Sequence, residues 1–401
     1  MRRILLASAL LLGGLGVAPF SAQAGSLEDL LVQKGVITRA DAESVTDSGI
    51  PAKVYYKNGI KLEFPEAGAT FGLNAFIQTR YTFTDADTGS NTSSFDLKRA
   101  RLIAAGSVLN KEFDYYLQTE FAGSEATLKD AFVRWNPLSS TAIRAGQYKI
   151  EVSRQFNTSD YALQFADRSA ASEYFDLDRN QGAELVYGPC DKAKIGLAIF
   201  NGVSTGEGNN KTGVDTNHTG VIFARADLVG KMDALKEGDV ENTESLAVNV
   251  GAAYAYSDFN KDSGDPVASI NHTGQTVSVD ANVKDRGFSL HTEFFWAEDE
   301  PEGADSAQPL GGYVQTGFFL TPKQLEVAVR YSVISCDDGK AGGDCAGLDK
   351  IQEATAGLNY YFMGHNLKAQ LNYVYKNEDP AAGDAGSTKE NRIMAQLSAY
   401  L

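Results

Sequence analysis

Beyond its first two dozen residues, this chain has no apolar run approaching the ~20 residues that a membrane helix needs. That excludes a helical bundle in lipid and leaves open a barrel, whose strands need only ~9–11 alternating residues. Cysteine is scarce, with three in 401 residues, as are histidine (four) and proline (ten). His218, His272, His291 and His365 are scattered, and none stands at metal-ligand spacing with a cysteine or carboxylate pair. No metal or cofactor is therefore expected. Positive charge is in deficit, with a net charge of −16, which argues against nucleic acid as a partner. No nucleophile stands in a hydrolase motif. The acidic pairs Asp337-Asp338 and Glu298-Asp-Glu300 fall in loop-like stretches, so an enzyme is not expected.

Glycine (39), tyrosine (18) and phenylalanine (21) are plentiful. The chain opens on Met1-Arg2-Arg3, an apolar run from Ile4 to Phe20, and Ser21-Ala22-Gln23-Ala24. These are the three parts of a secretory signal peptide, with cleavage expected after Ala24. Residues 25–50 read as a short periplasmic helical segment, because Ser26-x-x-Asp29 and Thr38-x-x-Asp41 resemble capping boxes. Export permits a small ring between Cys336 and Cys345, which leaves Cys190 free in a tight turn.

From residue 60 to 401 the dominant signal is alternation. Phe71, Leu73, Ala75, Ile77, Tyr81 and Phe83 share one face, with Asn74, Gln78 and Arg80 opposite. In the stretch 95–109, Lys98, Ala100, Leu102, Ala104, Gly106 and Val108 oppose Leu97, Arg99, Arg101, Ile103 and Ala105. Two arginines on one face suit a water-filled lumen, with the other face in lipid. Leu73, Leu102, Leu117, Val250, Leu290, Val327 and Leu371 should then point outward. About sixteen such runs follow Thr70, short turns alternating with long polar loops, as in a transmembrane barrel. The last run ends on Tyr400-Leu401. A secreted β-rich binding protein or enzyme is the less favoured reading.

One connection breaks the rhythm. Residues 151–181 hold Phe156, Tyr161, Leu163, Phe165, Tyr174, Phe175 and Leu177 together with Arg154, Arg168, Arg179, Asn157, Thr158 and Ser159. Long segments without secondary structure inside a compact protein are usually functional or disordered. This composition suits an aromatic-rich loop folded into the barrel rather than one capping its mouth.

Phe95-Asp-Leu-Lys-Arg-Ala-Arg-Leu, Lys129-Asp-Ala-Phe-Val-Arg-Trp, Arg144-Ala-Gly-Gln-Tyr-Lys149, Thr158-Ser159 and Ala166-Asp-Arg-Ser169 occur in this order. The ordered set resembles the phosphate-selective porin O and P family of Gram-negative outer membranes. The resemblance implies a sixteen-stranded homotrimer in outer-membrane lipid, its third loop folded inward, passing small anions such as phosphate or polyphosphate. A general or other-solute-selective porin is the alternative. The matching positions are Lys98, Arg99 and Arg101, then Lys149 and Thr158-Ser159, although Lys98 shares parity with the outward set. Arg99 and Arg101 with the 151–181 loop are expected to form an anion-attracting constriction. Arg80 lies close by and Lys149 and Arg154 are further candidates, unless pairing with Glu120 or Asp130 neutralises the two arginines.

Overall fold

A computed structural model describes residues 52–202, 217–259, 272–301, 305–338, 340–381 and 386–401, together with Lys34 and Thr38. The signal peptide and the 25–50 helical segment lie outside the described residues. Ala52–Leu401 forms one compact unit. It begins with a hairpin, β1 (Lys53–Tyr56) and β2 (Ile60–Phe64). There follow β3 (Ala69–Ala86), β4 (Thr92–Val108), β5 (Phe113–Glu120), β6 (Thr127–Leu138) and β7 (Thr141–Lys149). After a long connection come β8 (Arg179–Cys190), β9 (Ala193–Asn201), β10 (His218–Val229), β11 (Ala247–Phe259), β12 (His272–Asp285) and β13 (Phe288–Pro301). β14 (Leu310–Thr321), β15 (Leu325–Ser335), β16 (Leu348–Tyr361), β17 (Leu367–Pro380) and β18 (Thr388–Tyr400) complete the chain.

Each strand from β3 to β18 pairs antiparallel with the next, and β18 pairs back onto β3. The result is a closed barrel of sixteen strands. Closure matters in lipid, where an unpaired strand edge has no water to satisfy it. At the seam, Leu401 and Ala75 exchange backbone hydrogen bonds of 2.8 and 2.9 Å, and β2 extends the sheet below them by pairing with residues 69–73 of β3.

The side-chain distribution is inverted relative to a water-soluble protein. Leu73, Leu102, Leu117, Val327 and Leu371 are exposed on the outside, and Val250 and Leu290 are half-buried beside them. Asn74, Gln78, Arg80, Gln118, Asn249, Ser278, Gln315 and Asn372 point inward and are buried. Apolar outside and polar inside is the arrangement that a hydrocarbon solvent selects.

Two departures from strict alternation bear on the site. Gln78 pairs with Arg99 but Thr79 pairs with Leu97, so Lys98 is the extra residue of a β-bulge. The bulge flips parity, and Leu97, expected on the arginine face, lies outside at 49% exposure. A second bulge at Lys129 leaves Gln118 opposite Asp130 and Thr119 opposite Leu128. Connections on the β1–β2 side of the barrel are short with one exception. Residues 230–246, between β10 and β11, form a long turn that folds inward. Cys336 and Cys345 are joined, their sulfurs 2.04 Å apart, and Cys190 is free and exposed.

Candidate functional site

The connection from β7 to β8, residues 150–178, crosses the lumen. It carries two short helices that composition alone does not reveal, α1 (Arg154–Asn157) and α2 (Ala170–Phe175). Ser153 Oγ accepts from the Phe156 N–H at 3.1 Å, and Ser169 Oγ accepts from the Ser172 N–H at 3.0 Å. Each serine is an N-cap, supplying an acceptor where the helix has none of its own.

The far wall holds this loop through polar side chains. Glu293 on β13 accepts from the backbone N–H groups of Arg154 (2.6 Å) and Gln155 (3.2 Å) and from the Ser153 hydroxyl (3.2 Å). Gln164 is fully buried, donates to Glu326 at 2.5 Å, and receives Asn359 and Gln370 at its carbonyl. Asn372 accepts from the Ala166 N–H at 2.7 Å, and Ser332 accepts from the Ala171 N–H at 3.0 Å. With so many buried donors matched, the loop has one well-defined position. Held mainly to β12–β18, it leaves an open space against inward residues of β3–β8.

The open half contains a cavity of about 370 Å³. Phe76, Tyr116, Phe132, Tyr148, Tyr161 and Tyr400 line it, with Arg101, Arg144, Lys149 and Arg179 among them. Gly146 and Gly182 face inward, where a Cβ would collide with the opposite strand and with the Phe132 and Phe200 side chains. Arg144 lies 3.7 Å from the Tyr148 ring centre and binds Glu184 at 2.9 Å.

Three guanidinium groups converge on one loop carboxylate. Asp160 binds Arg101 at 2.5 Å, Arg168 at 2.7 Å and Arg99 at 3.0 Å. Burial opposes ionisation of Asp160, but Arg168, Arg99 and Arg101 outweigh it and hold the carboxyl well below the usual carboxylate range. Arg101 also binds Glu120 at 2.6 Å, and Arg99 donates to Gln78 at 2.8 Å. Asp130 pairs with Arg179 at 3.1 Å and with neither strand arginine. The Lys149 ammonium donates to the carbonyls of Phe156 (2.5 Å) and Thr158 (3.3 Å) and has no carboxylate ion pair among the described residues. The cavity lining carries Arg101, Arg144, Lys149 and Arg179 against Asp130, Glu151 and Asp160.

The expected residues therefore separate. Arg101, Lys149 and Ser159 line the cavity, with Ser159 exposed in its wall, and Arg99 stands behind it through Asp160. Thr158 is buried, and its hydroxyl donates to the Arg154 carbonyl at 3.1 Å, turned away from the open side. Arg80 is 4% exposed and fully engaged, by Asp167 at 2.8 Å, Gln396 and the Ala166 carbonyl. It fastens the later part of the loop. The Asp167 carboxyl is pulled to about 2 against burial, chiefly by Arg80, with Lys98 also contributing. Arg154 pairs with Asp280 and lines a separate cavity nearer the short-turn side.

Sequence reasoning missed Arg144, Asp160 and the 230–246 turn. Arg144 shares parity with Tyr148 inside a motif already singled out, which was the available signal. Asp160 directly follows Thr158-Ser159 but offers no pattern of its own.

A closed sixteen-stranded barrel with an apolar exterior, a polar lumen and an inward loop is an outer-membrane porin. The profile of the phosphate-selective porin O and P family matches residues 71–399, and the chain belongs to that family. No curated protein sequence matches it. Among solved structures it is similar to the anion-selective porin from Comamonas acidovorans, with 11% identity and a TM-score of 0.58 over 82% of this chain and 99% of that one. It also resembles the outer membrane channel DcaP of Acinetobacter baumannii (15%, 0.59, 83% and 98%) and the trimer form of OmpT from Vibrio cholerae (11%, 0.54, 83% and 99%). At these identities the likeness is one of fold. The family and fold are those of channels, not enzymes.

Proposed function

We propose that this porin conducts small anions, phosphate and polyphosphate among them, along the open half of its lumen past Arg101, Arg99 and Lys149. The observation that carries the reading is the convergence of Arg99, Arg101 and Arg168 on the single carboxylate of Asp160, beside a lysine with no ion pair among the described residues. Pairing removes part of the positive charge but not its excess. In a narrow passage that excess raises local anion concentration and repels cations. An anion leaving water also needs replacement donors, which the guanidinium groups and the Ser159 hydroxyl supply. Export through the 1–24 signal with cleavage after Ala24, a periplasmic helical segment at 25–50 and a homotrimeric assembly complete the proposal. Trimeric forms among porins of this fold support the last part. Mass measurement in mild detergent tests it, and a stable monomer at high concentration would count against it.

Planar-bilayer recording in a salt gradient tests the conduction pathway. The wild type should show an anion-preferring reversal potential and chloride current reduced by added phosphate. Replacing Arg99 and Arg101 together by Ala should move the reversal potential towards cations with little rise in conductance. An unchanged potential in the double variant rules these two out as selectivity determinants.

The six aromatic rings around the cavity favour a second reading, a porin selective for organic anions with an apolar face. Stronger block of chloride current by an aromatic carboxylate than by phosphate would support that alternative.

A further inference from the structure

The turn joining β10 to β11 lies on the side of the barrel where other connections are only a few residues long, yet it runs from Gly230 to Leu246 and enters the lumen. Its centre is fixed there. Glu237, 3% exposed, accepts from the Gln164 N–H at 2.7 Å, Gln155 Nε2 at 2.8 Å and Gln315 Nε2 at 2.9 Å. Its own N–H donates to the Ala162 carbonyl at 3.0 Å. The Gly238 N–H donates to His291 Nε2 at 3.1 Å, and Lys284 Nζ donates to the Lys236 carbonyl at 2.7 Å. Turn and crossing loop thus form one interlocked body, held to inward side chains of β12, β13 and β14.

Leu235 sits two residues before Glu237. It lines the upper cavity beside Arg101 and Lys149, and it also lines a second cavity of about 260 Å³ towards the short-turn side. On the barrel wall the same boundary is marked by an ion pair: Glu151 belongs to the upper cavity, Arg225 to the lower one, and their Oε2 and Nη1 atoms are 2.5 Å apart. Leu235 thus belongs to both linings, and an ion pair joins a residue of one lining to a residue of the other.

We propose that Leu235 is the gate between them, a specificity-determining residue carried by the inserted turn. A leucine offers a hydrated ion no hydrogen bond, and apolar constrictions control passage by dewetting. The Glu151–Arg225 pair, which links the two linings, keeps a guanidinium at the boundary without adding net charge. An anion shedding water past Leu235 thus keeps one polar wall, and a larger solute meets a side chain anchored two residues from a buried carboxylate. The inference rests on the reading that solute enters the upper cavity, and it goes beyond that reading by locating where entry becomes exit.

Thiol labelling in single-channel recordings tests it, in a Cys190→Ser background so that only the introduced thiol reacts. The probes are Leu235→Cys and, as a reporter on the upper cavity itself, Ser159→Cys. Each is treated with a charged methanethiosulfonate, and mass measurement confirms adduct formation. Labelled Leu235→Cys should lose conductance by about threefold or more, and Leu235→Ala should conduct more than wild type. If labelled Ser159→Cys responds while fully labelled Leu235→Cys does not, the gate is overturned and the upper pathway stands. Failure of the Leu235→Cys thiol to react at all while Ser159→Cys reacts overturns the gate equally, since a residue on the path must be reachable. If neither labelled site alters conductance, the pathway falls and the gate with it.

Discussion

Arg101 Nη1 lies 2.5 Å from Asp160 Oδ2, and this contact ties the strand carrying the paired arginines to the loop that narrows the barrel. The same guanidinium binds Glu120 through Nε at 2.6 Å, so its orientation is set by two carboxylates on different elements. Arg101 is thereby both structural and electrostatic. Its charge is partly answered, yet Arg99 and Arg168 share the same acceptor and leave the cluster positive.

Replacing Asp160 by Asn removes the shared counter-charge while keeping a side chain of the same shape. Anion preference should then increase by roughly twofold to tenfold at 0.1 M salt and much less at 1 M, because the screening length falls from about 10 Å to 3 Å. Reversal potentials at the two salt concentrations check this. A shift towards cations would mean that the arginines lose their positions when Asp160 no longer holds them.

Glu237 is the acceptor on which turn and loop converge. Glu237→Ala leaves three buried N–H groups, on Gln164, Gln155 and Gln315, without their acceptor. Each such orphan costs about 1–3 kcal/mol. The expected result is a noisier open channel and faster proteolysis within 150–178 and 230–246. The sixteen-stranded wall, which Glu237 does not hold together, should keep its heat resistance in detergent. Loss of that resistance would show that the plug supports the barrel itself.

The disulfide should matter locally. Cys336 and Cys345 pack with Ala341, Ile334 and Ile351 against Ala171 and Phe175 of α2, and the Phe175 ring stacks on Phe295 at 5.2 Å. Replacing both cysteines by Ser should expose residues 337–344 to protease and loosen α2. The Asp160 cluster, held by Arg99 and Arg101 from β4, should keep its selectivity. Unchanged reversal potential with faster cleavage is the outcome to look for.

How much of this was legible in the sequence depends on whether a side chain answers to its own strand or to a distant one. Outward residues such as Leu73 and Leu371 were readable because lipid imposes period two on every spanning strand. The bulge at Lys98 left no compositional mark, and it moved Leu97 to the lipid face against the count. The serine caps at Ser153 and Ser169 were visible letters, but helices of four to six residues are too short for periodicity. The three partners of Asp160 come from β4 and from the loop itself, and only the folded loop brings them together. The turn holding Leu235 was not singled out, since Met232, Leu235 and Val240 are too few to set a period, and only the folded turn packs Val240 on Phe319 and Tyr361.

Asp176 gives the channel a pH dependence of predictable sign. It lies at the end of α2, beside Glu173, in a cavity of about 500 Å³ that also contains Glu298, Asp299 and Asp344. Burial, with Asp178 adding repulsion, pushes its carboxyl up to about 8, against the hydrogen bond it accepts from the Asp178 N–H. A carboxyl raised in this way is mostly neutral at pH 7 and becomes charged as pH rises through that value. The folded loop favours the protonated form, so this carboxyl's contribution to its hold is fully present only below the ordinary carboxylate range, falls as pH rises, and is gone once pH passes about 8. Ionisation also adds a negative charge to a vestibule already acidic, which disfavours anion entry. Anion conductance at low salt should therefore fall between pH 7 and pH 9. Asp176→Asn should conduct like the neutral form throughout and lose this step. A fall of equal size in wild type and Asp176→Asn would assign the titration to another group.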